Sequence, residues 1–309
     1  MDYSVSMETA RLLTRREFVA TTTATLASAR LFGKEPAART MAPIVSPDWL
    51  EANAAGQQVV IVDIRSTAQY DKGHIAGAIN VPMADWAVSA DGISMELPSD
   101  AALRTLLTKS GIAASSHVVI VNRTETDFSR ADATRVAWTC ILAGVKNTAV
   151  LDGGHTRWVK EKRTLTTEKP VPRTTPFTGP IDRSSVVTKQ EILSRIGEAI
   201  IIDARIPEDY FGIHNGGHIK SAFNLPAPWV FQRDGNYRDT RELRAMADGV
   251  IGNDPKKEIV VYCGVGGYAA LWWFLMTQLL GYRNVKLYDG SFEEWTRDPA
   301  GPVSRFSWK

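Results

Sequence analysis

The sequence offers one place where residue types and spacing suggest covalent chemistry, a cysteine between a β-branched run and a glycine-rich turn. Ile259–Tyr262 reads as a short buried strand, and Cys263-Gly264-Val265-Gly266-Gly267-Tyr268 follows it directly. An apolar helical stretch is expected to begin near Ala269. A cysteine at the carboxyl end of a parallel strand lies where open α/β sheets bind their ligands. Three glycines let the backbone curl so that successive N–H groups converge, forming an anion nest reinforced by the positive end of the helix. Such surroundings favour the thiolate, the nucleophilic form of cysteine. The plainer reading of the same residues is a buried, inert cysteine at a tight turn.

The elements that must position this loop occur twice, with a period near 140 residues. Val59-Val60-Ile61-Val62-Asp63-Ile64-Arg65 returns as Ala199-Ile200-Ile201-Ile202-Asp203-Ala204-Arg205, each an apolar strand ending in Asp-x-Arg. Gly73-His74-Ile75-Ala76-Gly77-Ala78-Ile79-Asn80-Val81-Pro82 returns as Gly217-His218-Ile219-Lys220-Ser221-Ala222-Phe223-Asn224-Leu225-Pro226. Asp152-Gly153-Gly154 before Trp158 is matched by Asp289-Gly290-Ser291 before Trp295, and eight residues separate Gly144 from Asp152 and Gly281 from Asp289. Strand-like runs followed by helical ones suggest a parallel sheet covered on both faces in each copy. Pro170, Pro172, Pro176 and Pro180 predict a stiff, extended linker. The expected division is a first domain over 44–165, a linker over 166–184 and a second domain over 185–306. In the first copy, Asn122-Arg123-Thr124-Glu125-Thr126-Asp127 stands where the cysteine loop stands in the second, without cysteine or glycine. From Asn122 to Gly144 is 22 residues against 18 from Cys263 to Gly281, which predicts a longer loop unable to form the same cradle.

Taken in order, Asp-x-Arg, Gly-His-Ile, the Tyr262-Cys263-Gly264 turn and Asp-Gly-(Gly/Ser) before a tryptophan resemble the rhodanese family over about residues 46–302. The resemblance implies an α/β chain of two tandem rhodanese-like domains, each a parallel sheet flanked by helices. The first is inactive and the second catalytic, with the active loop in the cleft between them. It also implies a sulfurtransferase in which Cys263 takes a sulfane sulfur from a small donor as a persulfide and passes it to a thiol or cyanide acceptor. Gly264, Val265, Gly266, Gly267 and Tyr268, with Arg205, are then the expected substrate-binding residues, and neither metal nor cofactor is expected. Two other readings stay open: a persulfide carrier served by another protein, and a non-catalytic interaction module of the same fold.

The loop departs from both familiar substrate patterns of the family. Thiosulfate-specific relatives place Arg and Lys after the cysteine, and mercaptopyruvate-specific relatives a serine two residues on, whereas Gly264 and Val265 stand here. Asp209 stands where those relatives carry a second-domain arginine. Related phosphatases need an arginine six residues after the cysteine to grip the oxyanion, and Ala269 disfavours that chemistry. Arg205 reads more readily as a structural ion pair, because Asp-x-Arg also occurs in the first copy. His74 and His218 lack ligands at metal spacing and read as structural, although in mercaptopyruvate-specific relatives the residue matching His74 helps build the site. Trp272 and Trp273 are expected at the domain interface, and Cys140 as a small core residue with a free thiol.

The composition, 44% hydrophobic and 23% charged with a net charge of +2, fits a globular chain and gives no footprint for nucleic acid. Thr14-Arg15-Arg16-Glu17-Phe18-Val19 precedes a short uncharged run, in outline a twin-arginine export signal over residues 1–29, with Ala27-Ser28-Ala29 offering a cleavage site. The run is too short to span a bilayer, so no membrane association is expected after cleavage. The expected partners are the twin-arginine translocase during export and the small sulfur donor and acceptor in the periplasm or outside the cell. Replacing Arg15 and Arg16 with Lys should leave an uncleaved precursor in the cytoplasm on cell fractionation; normal export of that variant would contradict the signal.

Overall fold

β-Branched runs form the strands His117–Val121 and Val59–Asp63 of the first half and Ile259–Tyr262 and Ile200–Asp203 of the second, and the repeat in sequence is a repeat in topology. A computed structural model describes residues 39–56, 59–214, 216–299 and 301–306. The export signal expected at 1–29 lies outside the described residues. The first five-stranded sheet runs Ile44–Val45, Asn147–Leu151, His117–Val121, Val59–Asp63, Ile79–Asn80. The second, also five-stranded, runs Val186–Val187, Val285–Tyr288, Ile259–Tyr262, Ile200–Asp203, Phe223–Asn224. All neighbouring strands within both sheets are parallel.

Successive side chains of a strand point to opposite faces, and both faces are covered. Val118 and Ile120 enter one core with Leu103, Leu107 and Val136, while Val119 and Val121 enter another with Leu50, Tyr70 and Trp158. In the second half, Ile259 and Val261 join the first of these cores, and Val260 and Tyr262 pack with Ile192, Phe292 and Trp295. One core therefore runs continuously from half to half, and the described residues form one compact unit. Trp138 of helix Asp127–Leu142 meets Trp273 edge-on, with ring centroids 6.4 Å apart, so Trp273 packs at the interface as expected and Trp272 is buried in the same core. Cys140 is also fully buried there, and burial pushes its thiol far above the ordinary value. The proline-rich linker is strapped to the first half: Phe177 is buried and its N–H donates to Thr108 Oγ1 at 3.0 Å.

Two boundaries differ from expectation. The helix after the cysteine begins at Gly267 instead of near Ala269, runs to Phe274 and continues as a π turn over Leu275–Leu279. Its counterpart Asp127–Leu142 has 16 residues against 8 and 5 for the α and π segments, so the longer spacing in the first copy resides mostly in the helix. The first-half loop is longer by a single residue. Thr126 caps that helix in a reciprocal box with Ser129 and fixes its start at Asp127.

The halves are tied by a buried ion pair. The guanidinium of Arg135 donates from Nη1 to Asp289 Oδ1 and from Nη2 to the carbonyl of Met95, and the two paired side chains are 0% and 6% exposed. Asp289 Oδ2 also accepts the Leu97 N–H at 2.8 Å, from just beyond a hairpin (Val88–Ala90 with Ile93–Glu96) that the first half lays over the second. Along the same face, Ser94 donates its N–H to Glu293 at 2.8 Å, and Arg297 donates to the carbonyls of Asp91 and Gly92 at 2.7 and 2.6 Å. The arrangement is mirrored on the other side, where the Tyr237 N–H donates to Asp152 Oδ1 at 2.9 Å. The repeated Asp-Gly aspartates thus each accept a main-chain N–H from the opposite half.

Arg135→Met should lower unfolding stability by about 3–5 kcal/mol, because it strands the Asp289 carboxylate in the interface. Arg135→Met combined with Asp289→Leu should regain part of that loss in urea titration; a single variant within about 0.5 kcal/mol of wild type would show that the pair contributes little. Glu96 lies beside this pair, and burial, followed by the Asp289 charge, raises its carboxyl from 4.5 to about 7. A carboxyl raised on folding binds its proton more tightly in the native state, so its contribution is full below 4.5 and is lost as pH rises through about 7. Glu96→Gln should flatten the fall in melting temperature across that window, and a curve parallel to wild type would contradict the assignment.

Candidate active site

Cys263 directly follows the central strand of the second sheet, whose last residue, Tyr262, is in register with Asp203 of the neighbouring strand. Its backbone is pinned from the Asp-Gly-Ser turn. The Cys263 N–H donates to Ser291 Oγ at 3.1 Å, and that hydroxyl donates to the Tyr288 carbonyl at 3.0 Å. The N–H groups of Phe292 and Glu293 return to the carbonyls of Cys263 and Gly264 at 2.9 and 3.0 Å. Ser291 itself is left-handed, with φ +51°, as is its first-half counterpart Gly154 at +55°. The motif is therefore a strap across the strand end.

The expected nest is simpler than its glycine content suggested. Gly266 alone of the loop glycines is left-handed, with φ +88°, and its N–H donates to Cys263 Sγ at 3.1 Å. That bond and the amino end of helix Gly267–Phe274 stabilise negative charge on the sulfur. A Cβ at position 266 would stand 2.9 Å from Arg135 Nη1 and 3.0 Å from Asp289 Oδ1, so glycine is required against the clasp as well as by the turn. Gly267 opens the helix, where a Cβ would press on the Phe128 ring at 3.2 Å.

Cys263 is 1% exposed, yet it lines a cavity of about 540 Å³ with Gly264, Val265, Tyr268 and Arg205. The wall is completed by Phe128, Asp209, Phe292, Glu293 and Thr296. Phe128 comes from the first half and meets Tyr268 edge-on at 5.5 Å, so the cavity lies at the junction of the halves. Burial raises the Tyr268 hydroxyl to about 12. Of the residues read from sequence, Gly264, Val265, Tyr268 and Arg205 line the cavity with the cysteine, whereas Gly266 and Gly267 stand behind it.

Arg205 is committed within its own domain. Its Nε lies 3.0 Å from Asp203 Oδ1, and its Nη2 donates to Asp203 Oδ2 at 2.5 Å and to the Gly217 carbonyl at 2.6 Å. Arg65 repeats the pattern with Asp63 and the Gly73 carbonyl, at 2.9 Å for the latter. The pair is thus a scaffold element that in the second half also faces the cavity. His74 is buried, stacked on Tyr70 at 3.7 Å, with its ring nitrogens on the carbonyls of Tyr70 and Glu168 at 3.0 Å each. His218 stacks on Tyr210 in the same way. Neither lines the cavity, and no group of His, Cys, Asp and Glu among the described residues could hold a metal.

The first half has no equivalent nucleophile. Asn122 follows its central strand, and its side-chain amide is spent on the carbonyls of Ser129 and Arg130, at 2.7 and 3.3 Å. Its carbonyl accepts the His155 N–H at 2.8 Å, so the strap persists without the cysteine. Sequence reasoning missed Ser291, Arg135 and Phe128 as parts of the site. The repeated Asp-Gly motif was the available signal for Ser291, while Arg135 and Phe128 act across the halves and leave no local trace.

Comparison with known proteins agrees with this geometry. The family model described as a Rhodanese-like domain matches residues 46–161 and 188–298. A protein of Mycolicibacterium smegmatis, provisionally named thiosulfate sulfurtransferase, is 30% identical over 275 residues, covering 84% of this chain and 96% of its own. A protein of Thermus thermophilus named sulfur carrier protein TtuD is 29% identical over 282 residues, 85% of this chain and 96% of its own. Among solved structures, YnjE superposes with a TM-score of 0.75 at 22% identity over 86% of this chain and 69% of its own. The anaerobic ergothioneine biosynthesis enzyme from Chlorobium limicola superposes at 0.73 and 22%, over 85% and 70%; at such identity both show the fold alone. With the domain matched twice across most of its length, this chain belongs to the rhodanese family of sulfurtransferases.

Proposed function

We propose that this protein moves a sulfane sulfur from a small donor to a thiophilic acceptor through a persulfide on Cys263. The observation that carries the reading is the placement of one of two thiols: Cys263 Sγ receives the Gly266 N–H and opens on a cavity, whereas Cys140 is sealed in apolar core. In the first step the Cys263 thiolate attacks the outer sulfur of the donor. The donor's sulfur–sulfur bond breaks, its electron pair leaves with the remainder, and Cys263 keeps the sulfur as a persulfide anion. In the second step the acceptor attacks that outer sulfur and Cys263 departs as thiolate. The Gly266 N–H and the helix end favour the anionic sulfur before and after each transfer. Gly264, Val265 and Tyr268 shape the substrate space, and Arg205, neutralised by Asp203, braces its wall.

The name of the Thermus relative favours a second reading, in which the Cys263 persulfide is handed to or from another protein. For the cellular setting we propose export on the twin-arginine signature around Arg15 and Arg16, with the work done in the periplasm or outside the cell. After exposure to thiosulfate or polysulfide, intact mass should rise by about 32 Da on wild type and on Cys140→Ser, and not at all on Cys263→Ser. Transfer to cyanide or a thiol should be abolished in Cys263→Ser and largely kept in Cys140→Ser. Added sulfur on Cys140, or activity surviving in Cys263→Ser, would contradict the assignment.

A further inference from the structure

We propose that the Cys263 cavity takes, as acceptor of the outer sulfur, a thiol carrying an uncharged apolar body about the size of an aromatic ring, and that Phe128 of the first half sets this preference. The proposal rests on the persulfide reading given above. Each charged side chain of the cavity wall is already engaged with protein. Arg205 is paired through Nε and Nη2 with the buried Asp203, and its guanidinium carbon stands 4.0 Å from the centre of the Phe292 ring. Glu293 accepts the Ser94 N–H at 2.8 Å and has Arg297 at 3.8 Å, while Asp209 has the His214 ring at 3.6 Å. Thr296 donates its hydroxyl to the Phe292 carbonyl at 3.0 Å. A charged group on the acceptor would lose water on entry and would have to compete with these partners, so the polar part of the wall adds little attraction for it.

The apolar part of the wall is different. Phe128, Val265 and Tyr268 line the cavity with the cysteine, and Phe128 keeps 41% of its surface exposed there. The capping box between Thr126 and Ser129 fixes the turn that carries Phe128. Its ring lies against the cysteine turn, where a Cβ on Gly267 would stand 3.2 Å away, and it meets Tyr268 edge-on at 5.5 Å. A lone exposed phenylalanine is ordinary on a protein surface, but one that walls a cavity holding a buried nucleophile is placed to bind what enters. An acceptor ring packed on Phe128 and Tyr268 removes apolar area of both partners from water, and aromatic pairs gain further from edge-to-face or offset contact. The cavity, about 540 Å³, lies within the range that holds small organic ligands. The transfer itself is the same for all acceptors. The thiol loses its proton to solvent, its sulfur bonds to the outer persulfide sulfur, and the electron pair of the broken sulfur–sulfur bond returns to Cys263 Sγ.

The test uses the full chain, loaded with inorganic polysulfide and freed of excess donor. Loss of the added sulfur is followed by intact mass on mixing with 2-phenylethanethiol, 2-hydroxyethanethiol or 2-aminoethanethiol at equal thiolate concentration. After division by the rates for a free low-mass persulfide, the phenyl thiol should react at least about tenfold faster than either of the others. Phe128→Ala should narrow that ratio by about threefold or more, and Phe128→Trp should restore it, which a merely structural role for the residue would not produce. Where Phe128→Ala does not fold, Val265→Thr should narrow the ratio in the same direction by about twofold. Loaded protein that reacts equally with all three thiols, or faster with a polar one, would overturn the selection while leaving the persulfide reading intact. A ratio unchanged in folded Phe128→Ala would overturn the role given to Phe128. Failure of Cys263 to gain sulfur at all would overturn the proposed function and the selection with it.

Discussion

The Arg135 guanidinium and the Asp289 carboxylate are buried against each other between two halves that carry the same sheet, and the cysteine turn is built against that contact. Taking both charges out of water is unfavourable unless each finds further partners, and Asp289 does so in the Leu97 N–H, Arg135 in the Met95 carbonyl. The first-half hairpin is thereby drawn over the strap that holds Cys263. Gly266 has no room for a side chain because the ion pair occupies it, and the left-handed turn that results aims its N–H at Sγ. Interface and nucleophile are consequently one structure.

Duplication accounts for what the first half does. Both halves set a residue at the end of the central strand and strap its carbonyl from the Asp-Gly turn, through His155 to Asn122 and through Phe292 to Cys263. Only the second follows with a left-handed glycine aimed at a sulfur. The first half spends Asn122 on helix carbonyls, caps its helix a residue later, and contributes Phe128 and the hairpin as covering surface. Its Arg65–Asp63 pair matches Arg205–Asp203 bond for bond, which identifies the pair as scaffold in both halves.

Much of this was legible in sequence wherever the signal is local. Strand runs, the repeat, the cysteine after Tyr262 and the burial of Cys140 all follow from periodicity and neighbours along the chain. The structural reading of His74 and His218 agrees with their stacking on Tyr70 and Tyr210. Glycine content shows where a backbone can be left-handed and not where it is: of the loop glycines, Gly266 is left-handed and Gly264 and Gly267 are not. The first-half loop is longer, as the spacing implied, but only by one residue, and most of the extra length lies in the helix, since spacing between motifs cannot separate a longer loop from a longer helix. Arg135, Phe128 and Glu293 were invisible as site residues because their partners lie in the opposite half.

If the clasp positions the nucleophile, a chain that remains folded without it must transfer sulfur poorly. The direct measurement is the single-turnover rate of sulfur transfer by Arg135→Met at a temperature where circular dichroism shows it fully native, beside wild type under the same conditions. The account predicts a rate about tenfold or more below wild type, since small displacements of a reacting group carry losses of that order. A folded Arg135→Met protein that transfers sulfur at the wild-type rate would contradict it.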